Sequence, residues 1–252
     1  MRIWIVLFCM VSSIWAVPVD LEENETFELE KKSVAVIIKV EGKAKILSQE
    51  SINKHEAKLG EALYEGDRLL TYAATNVLVE LDDSSSVILA ANSELSFIDT
   101  NNLKQDTGEI YYKVKARKST QGLKVQTPFS IMGIKGTEFI VEANAEETIS
   151  LNEGIVDIES LKANFELHKK QVMKEYKKFK DEQNTAFEAY KDEIKGESVS
   201  YVKEFELEAG KVLHFSSAQN CQATCESQVN EKDISAEVKK KFELYQKMLE
   251  QD

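Results

Sequence analysis

From Val34 to Glu159 the sequence breaks into short apolar segments separated by turn residues, with no stretch between them that reads as a helix, and this limits the region to an all-β architecture. The segments Val34–Val40, Ala44–Leu47, Arg68–Tyr72, Asn76–Leu81, Val87–Leu89 and Glu94–Ile98 are rich in β-branched and aromatic residues. So are Ile110–Val114, Leu123–Thr127, Glu138–Val141, Thr148–Leu151 and Ile155–Ile158. The breaks carry turn chemistry: Glu41-Gly42, Glu65-Gly66-Asp67, Asp82-Asp83-Ser84, Thr107-Gly108, Gly133, Gly136 and Glu153-Gly154. A β-sandwich, roll or solenoid is expected, and a βαβ fold is not.

At Leu161 the apolar period lengthens, and neither Gly nor Pro occurs again before Gly196, which predicts one long inserted helix over 161–196. Its seam runs through Leu161, Phe165, Val172, Tyr176, Phe179, Phe187, Tyr190 and Ile194, with His168 and Gln183 in the gaps. Leu161, Val172, Gln183 and Ile194 follow an eleven-residue repeat, which favours a nearly straight rod with weak right-handed coiling. Phe165, Tyr176, Phe179, Phe187 and Tyr190 are the candidate partner-binding or dimerising residues; the plainer alternative is packing against the rest of the chain. Strand patterning returns over Ser198–Glu208 and Lys211–Phe215, so the helix interrupts the β-domain. A closing amphipathic helix places Ile234, Val238, Phe242, Tyr245 and Leu249 on one side and is the expected partner of the first, giving a helical arm.

Arg2, the apolar run Ile3–Val11 and the small residues ending at Ala16 read as a cleavable signal peptide over 1–16. A mobile lead-in over 17–33 follows, and the predicted β-domain occupies 34–160 and 199–216, with a linker and helix over 217–252. No later apolar run is long enough to span a bilayer, so an exported, soluble, periplasmic protein is expected. The formal net charge of −12 disfavours nucleic acid or anionic lipid as partner, since both require clustered Lys and Arg. Cys9 lies inside the apolar leader, where Phe8 argues against lipidation, and this leaves Cys221 and Cys225 as either a local disulfide or two thiols.

No catalytic or metal-binding pattern emerges. His55, His168 and His214 lie in no nucleophile or ligand motif, and no phosphate or dinucleotide loop is present. Asp82-Asp83 and Glu146-Glu147 are adjacent carboxylates of the kind an acidic chain carries on solvated loops. No cofactor is expected and no enzymatic activity.

The ordered series of turns and strands resembles the FecR periplasmic domain family. The resemblance rests on Gly42, Leu63, Gly66-Asp67-Arg68-Leu69-Leu70-Thr71, Ala74 through Asp82, Ser84, Leu89 and Gly108-Glu109-Ile110. It continues through Val125-Gln126-Thr127-Pro128, Gly133, Gly136-Thr137-Glu138-Phe139-Ile140-Val141, Glu153-Gly154-Ile155-Val156 and Leu207-Glu208-Ala209-Gly210. Within it Gly66, Asp67, Thr71, Thr127, Pro128, Gly136, Thr137, Gly154 and Gly210 are expected to be structural turn residues. The resemblance implies an all-β periplasmic module that relays a signal from an outer-membrane transporter to a sigma factor. Family members of that plan carry a cytoplasmic segment and a transmembrane helix before the β-domain, whereas a signal peptide is expected here. The combined expectation is a non-enzymatic binding module for a protein or cell-wall glycan, with homodimerisation open. Its rivals are a self-associating envelope scaffold and an envelope hydrolase.

Overall fold

In the computed structural model the described residues are 32–49, 53–116, 122–170, 197–217 and 227–250. The first strands are β1 (Ser33–Glu41), β2 (Ala44–Leu47), β3 (His55–Glu56), β4 (Ala62–Tyr64), β5 (Arg68–Thr71), β6 (Asn76–Leu81), β7 (Ser86–Leu89) and β8 (Glu94–Asp99). Then come β9 (Asn102–Lys113), β10 (Leu123–Gln126), β11 (Ser130–Ile134), β12 (Glu138–Ala143), β13 (Glu147–Glu153) and β14 (Ile155–Ser160). The last are β15 (Phe165–Lys170), β16 (Glu197–Val202), β17 (Glu204–Glu208), β18 (Lys211–Ser217) and β19 (Ser227–Asp233), followed by helix α1 (Ala236–Glu250).

Hydrogen-bonded neighbours sort these strands into two layers that share one strand. Layer A runs β4-β1-β6-β7-β9-β12-β13-β18-β19-β15-β16. Layer B runs β3-β2-β5-β8-β9-β10-β11-β14-β17. The pairs are antiparallel except β9 with β10 and β15 with β19. The shared strand β9 lies in layer B through its first half, paired with β8 and β10, and in layer A through its second, paired with β7 and β12. Its corner is Gly108, at φ +90°, where an added Cβ would lie 2.2 Å from Ser93 Oγ. Only glycine combines that backbone with that proximity. The break expected at Thr107-Gly108 is therefore a bend inside one strand, and Gly133 likewise lies within β11, opposite Asp157.

Side-chain alternation assigns the faces. In layer A, Val77, Val79, Leu89, Tyr112, Phe139 and Val141 point inward and meet Leu69, Phe97, Val125, Met132 and Ile158 of layer B in one buried core. Their neighbours Leu78, Ile88, Tyr111 and Ile140 point outward, into a second, smaller core with Phe242 and Tyr245 of α1. These central strands are apolar on both faces because both faces are covered. Helix α1 starts behind Ser235, whose hydroxyl accepts the Val238 amide at 3.3 Å. Its apolar side is the expected one, with Ile234, Val238 and Leu249 packed around Phe242 and Tyr245. Among the described residues that side of α1 covers the outer face of layer A.

Residues 165–170 are a strand, not the opening turns of a helix. Phe165 and Leu167 point inward, and β15 pairs with β19 on one side and β16 on the other. The interval from Leu161 to Phe165 fits a helix, but Phe165 and Leu167 also fit period two, and pairing with distant strands selects the second pattern. β19 likewise occupies part of the expected C-terminal linker. The remainder of the expected helix, 171–196, lies outside the described residues, as do the expected signal peptide, nearly all of the lead-in, and Cys221 and Cys225. Among the described residues no helix is long and apolar enough to cross a membrane.

Candidate recognition surface

The family-type turn residues are built into the scaffold. Asp67 is buried, and its Oδ2 accepts the Tyr64 amide at 2.9 Å, closing the turn at Gly66. Thr71 Oγ1 donates to the Ala90 carbonyl at 2.6 Å and accepts the Ser93 amide at 2.8 Å, tying β5 to the turn before β8. Thr127 Oγ1 accepts the amides of Ser130 at 3.0 Å and Phe129 at 3.2 Å, capping the turn that Pro128 begins. Gly136 and Gly154 adopt positive φ side by side: a Cβ on Gly154 would lie 2.6 Å from the Gly136 carbonyl oxygen and equally near the Thr137 methyl. Gly210 begins the turn into β18, its amide donating to Leu151 O at 2.8 Å.

The histidines are dispersed. His55 bonds Glu61 at 2.8 Å on an exposed strand, and His214 bonds Thr148 at 3.1 Å. Burial, followed by the nearby Lys232 charge, pulls the His214 pKa below its usual value. His168, expected on a helix seam, sits in β15 beside Glu166, with Nε2 to Oε1 at 2.9 Å. Among the described residues no group of three or more His, Cys, Asp or Glu side chains could hold a metal ion.

The burial of one acid in particular runs against its sequence context. Glu147, expected on a solvated loop with Glu146, is fully buried as the first residue of β13, on the same face as Ile149 and Leu151. Its Oε1 accepts from Ser130 Oγ at 3.1 Å. Burial drives its pKa up to about 7, against the lowering effect of its bonds to Thr127 and Ser130. The period-two register with Ile149 was the available signal; the neighbouring Glu146 masked it.

The seam proposed from sequence is not assembled among the described residues. Phe165 is in the core, edge-on to Phe205 at 5.8 Å and Phe215 at 5.6 Å, and Tyr176, Phe179, Phe187 and Tyr190 lie outside the described residues. The described surface offers three other features. Helix α1 is clamped over layer A by polar bonds: Lys241 Nζ to Glu109 and Glu142, each 2.7 Å, Gln246 to Glu138 at 2.7 Å, and Tyr245 to Glu109. An open polar hollow of about 520 Å³ at the end of layer B is lined by Glu65, Asp99, Asn102 and Lys124 among others. At the far edge of layer A, β16 exposes Val199 and Tyr201.

Residues 67–157 match the model of the family described as FecR protein. Two crystal structures of a candidate anti-sigma factor from Parabacteroides distasonis ATCC 8503 are each similar at 13% identity and a TM-score of 0.43. Each match covers 68% of this chain and 61% of that one, so the chain spans about three fifths of that protein's length. A structure described as a cell surface anchoring domain shares 22% identity over 25% of this chain and 82% of its own, at a TM-score of 0.24. No curated protein matches the chain.

Proposed function

We propose that this chain, which carries a FecR-family segment over residues 67–157, is a non-enzymatic recognition module of envelope signalling that works in the periplasm by binding another protein. The supporting observation is where the polar groups of the segment go. The Asp67 Oδ2 and the hydroxyls of Thr71 and Thr127 bond to backbone at turns inside the fold, and Glu147 is sealed between the layers. A hydrolase needs an acid or nucleophile that reaches substrate together with a base to activate it, and these groups face inward without an adjacent histidine. A non-covalent partner instead reads strands, edges and the outer faces of the layers.

The test is photo-crosslinking in the host envelope, from probes placed singly on the exposed faces of β14, β16 and β17, combined with incubation of the purified chain with cell-wall sacculi. A discrete protein adduct and intact sacculi are the expected result. Soluble glycan or peptide fragments whose release is lost in Glu147→Gln would establish the hydrolase instead. Adducts to glycan alone would move the ligand class from protein to cell wall.

A further inference from the structure

A buried polar atom without a partner bears the full cost of its lost hydration. Glu147 Oε2 and Ser160 Oγ are two such atoms, with no hydrogen-bond partner among the described residues. They come from different layers: Glu147 opens β13 in layer A and Ser160 closes β14 in layer B. The strand register nevertheless brings them to one place. Ser160 stands opposite Ser130 in the pairing of β14 with β11, and both are buried on the inward face. Side chains opposed in this way have their Cβ atoms about 5 Å apart. Ser130 Oγ in turn donates to Glu147 Oε1 at 3.1 Å. Glu147 Oε2 and Ser160 Oγ therefore flank the same serine without bonding to each other.

We propose that Glu147 Oε2 and Ser160 Oγ hold an ordered internal water that joins layer A to layer B. Oε1 already accepts from Ser130, so the hydrogen of the protonated carboxyl falls on Oε2, which then needs an acceptor. A water accepts that hydrogen and donates one of its own to Ser160 Oγ, which gives it the two polar partners a buried water requires.

The surroundings leave Oε2 little else to bond. Phe215 is opposite Glu147 in the pairing of β13 with β18, and the rings of Phe129 and Phe165 lie 6.4 and 5.6 Å from it. These rings wall the site with apolar surface. The buried hydroxyl of Tyr112 is committed to Gln105 at 3.0 Å. Glu147 and Ser160 are 0% and 2% exposed, which suits water and not a larger solute. The proton is held to about pH 7 because burial outweighs the bonds from Thr127 and Ser130, so the donor on Oε2 is present over the acidic range.

The experiment is oxygen-17 relaxation dispersion on the full chain, below the pH of about 7 at which the Glu147 carboxyl gives up its proton, with circular dichroism to verify folding. Oxygen-17 reports long-lived water and is blind to exchangeable protein hydrogens. Ser160→Ala is expected to lower the dispersion amplitude by the contribution of one water, since a water left with Glu147 alone lacks the partners that hold it. Glu147→Gln is expected to leave the amplitude unchanged, because an amide nitrogen then donates from the position of Oε2. In infrared spectra the C=O stretch of the parent carboxyl, identified by its loss in Glu147→Gln, is expected to move to higher frequency in Ser160→Ala as the bridge is lost. An amplitude that Ser160→Ala leaves unchanged overturns the proposal. So does a fall in amplitude in Glu147→Gln, or a carboxyl band that Ser160→Ala does not move.

Discussion

Tyr111 and Tyr112 are adjacent on β9, both fully buried, and they belong to two different cores. Tyr112 points between the layers, stacks on Phe139 at 4.7 Å, and donates to Gln105 at 3.0 Å. Tyr111 points outward, stacks on Tyr245 of α1 at 5.1 Å, and donates to Glu138 at 2.6 Å. The inner core is closed by strands on both sides, so its loss is the loss of the whole β-fold. The outer core is closed by one helix with Phe242 and Tyr245 as its buried residues, and its rim is an acidic trio, Glu109, Glu138 and Glu142, facing Lys241 and Gln246. Neighbouring residues of one type thus report on two layers of stability, one global and one confined to the docking of α1.

The largest effect belongs to the inner core. Tyr112→Ala is expected to cost about 4 kcal/mol and to lower the whole urea transition without splitting it. Phe242→Ala is expected to cost about 3 kcal/mol in the outer core and to act locally. By hydrogen exchange the amides of α1 gain exchange while β9 and β12 keep their protection; equal loss across both would merge the two cores into one cooperative unit.

The pH dependence separates them further. The Glu147 carboxyl holds its proton to about pH 7 in the fold and to 4.5 in the unfolded chain. Its contribution is therefore fully present below pH 4.5 and is lost as pH rises through 7, a change on the order of 3 kcal/mol. Glu147→Gln removes that slope in a series of denaturation curves from pH 4 to 8; an unchanged slope would place its origin elsewhere. The smallest effect is expected from Lys241→Met, about 1 kcal/mol, because it leaves Glu109 and Glu142 together without their cation on a half-exposed rim. Salt added to the variant should recover part of that loss, with the inner core unaffected.

Much of this division was legible in the sequence. The apolar side of α1 was readable from Val238, Phe242, Tyr245 and Leu249, because a 3.6-residue period is a property of the segment itself. What covers that side was not readable, since outward-facing Leu78, Ile88, Tyr111 and Ile140 are scattered over four strands and show only as apolar runs without alternation. Glu147 reads as solvated for a similar reason: one acid on an inward register looks like its neighbour Glu146 until the register is known. Phe165 suits a helix by sequence because its local spacing permits both patterns. Thr71, Thr127 and Gly154 lie at turns, where the chemistry is local.

The all-β class of the region after Val34 and the two-sided character of α1 can be read along the chain, because steric preference and side-chain period act over a few residues. That β9 turns a corner at Gly108 to serve both layers, that Glu147 is sealed inside, and that β15 lies beside β19, with Glu166 opposite Gln228, comes from long-range pairing. The reason is physical. A strand's free energy resides largely in hydrogen bonds and packing with partners far away in the chain, and these exist only once the partners have met.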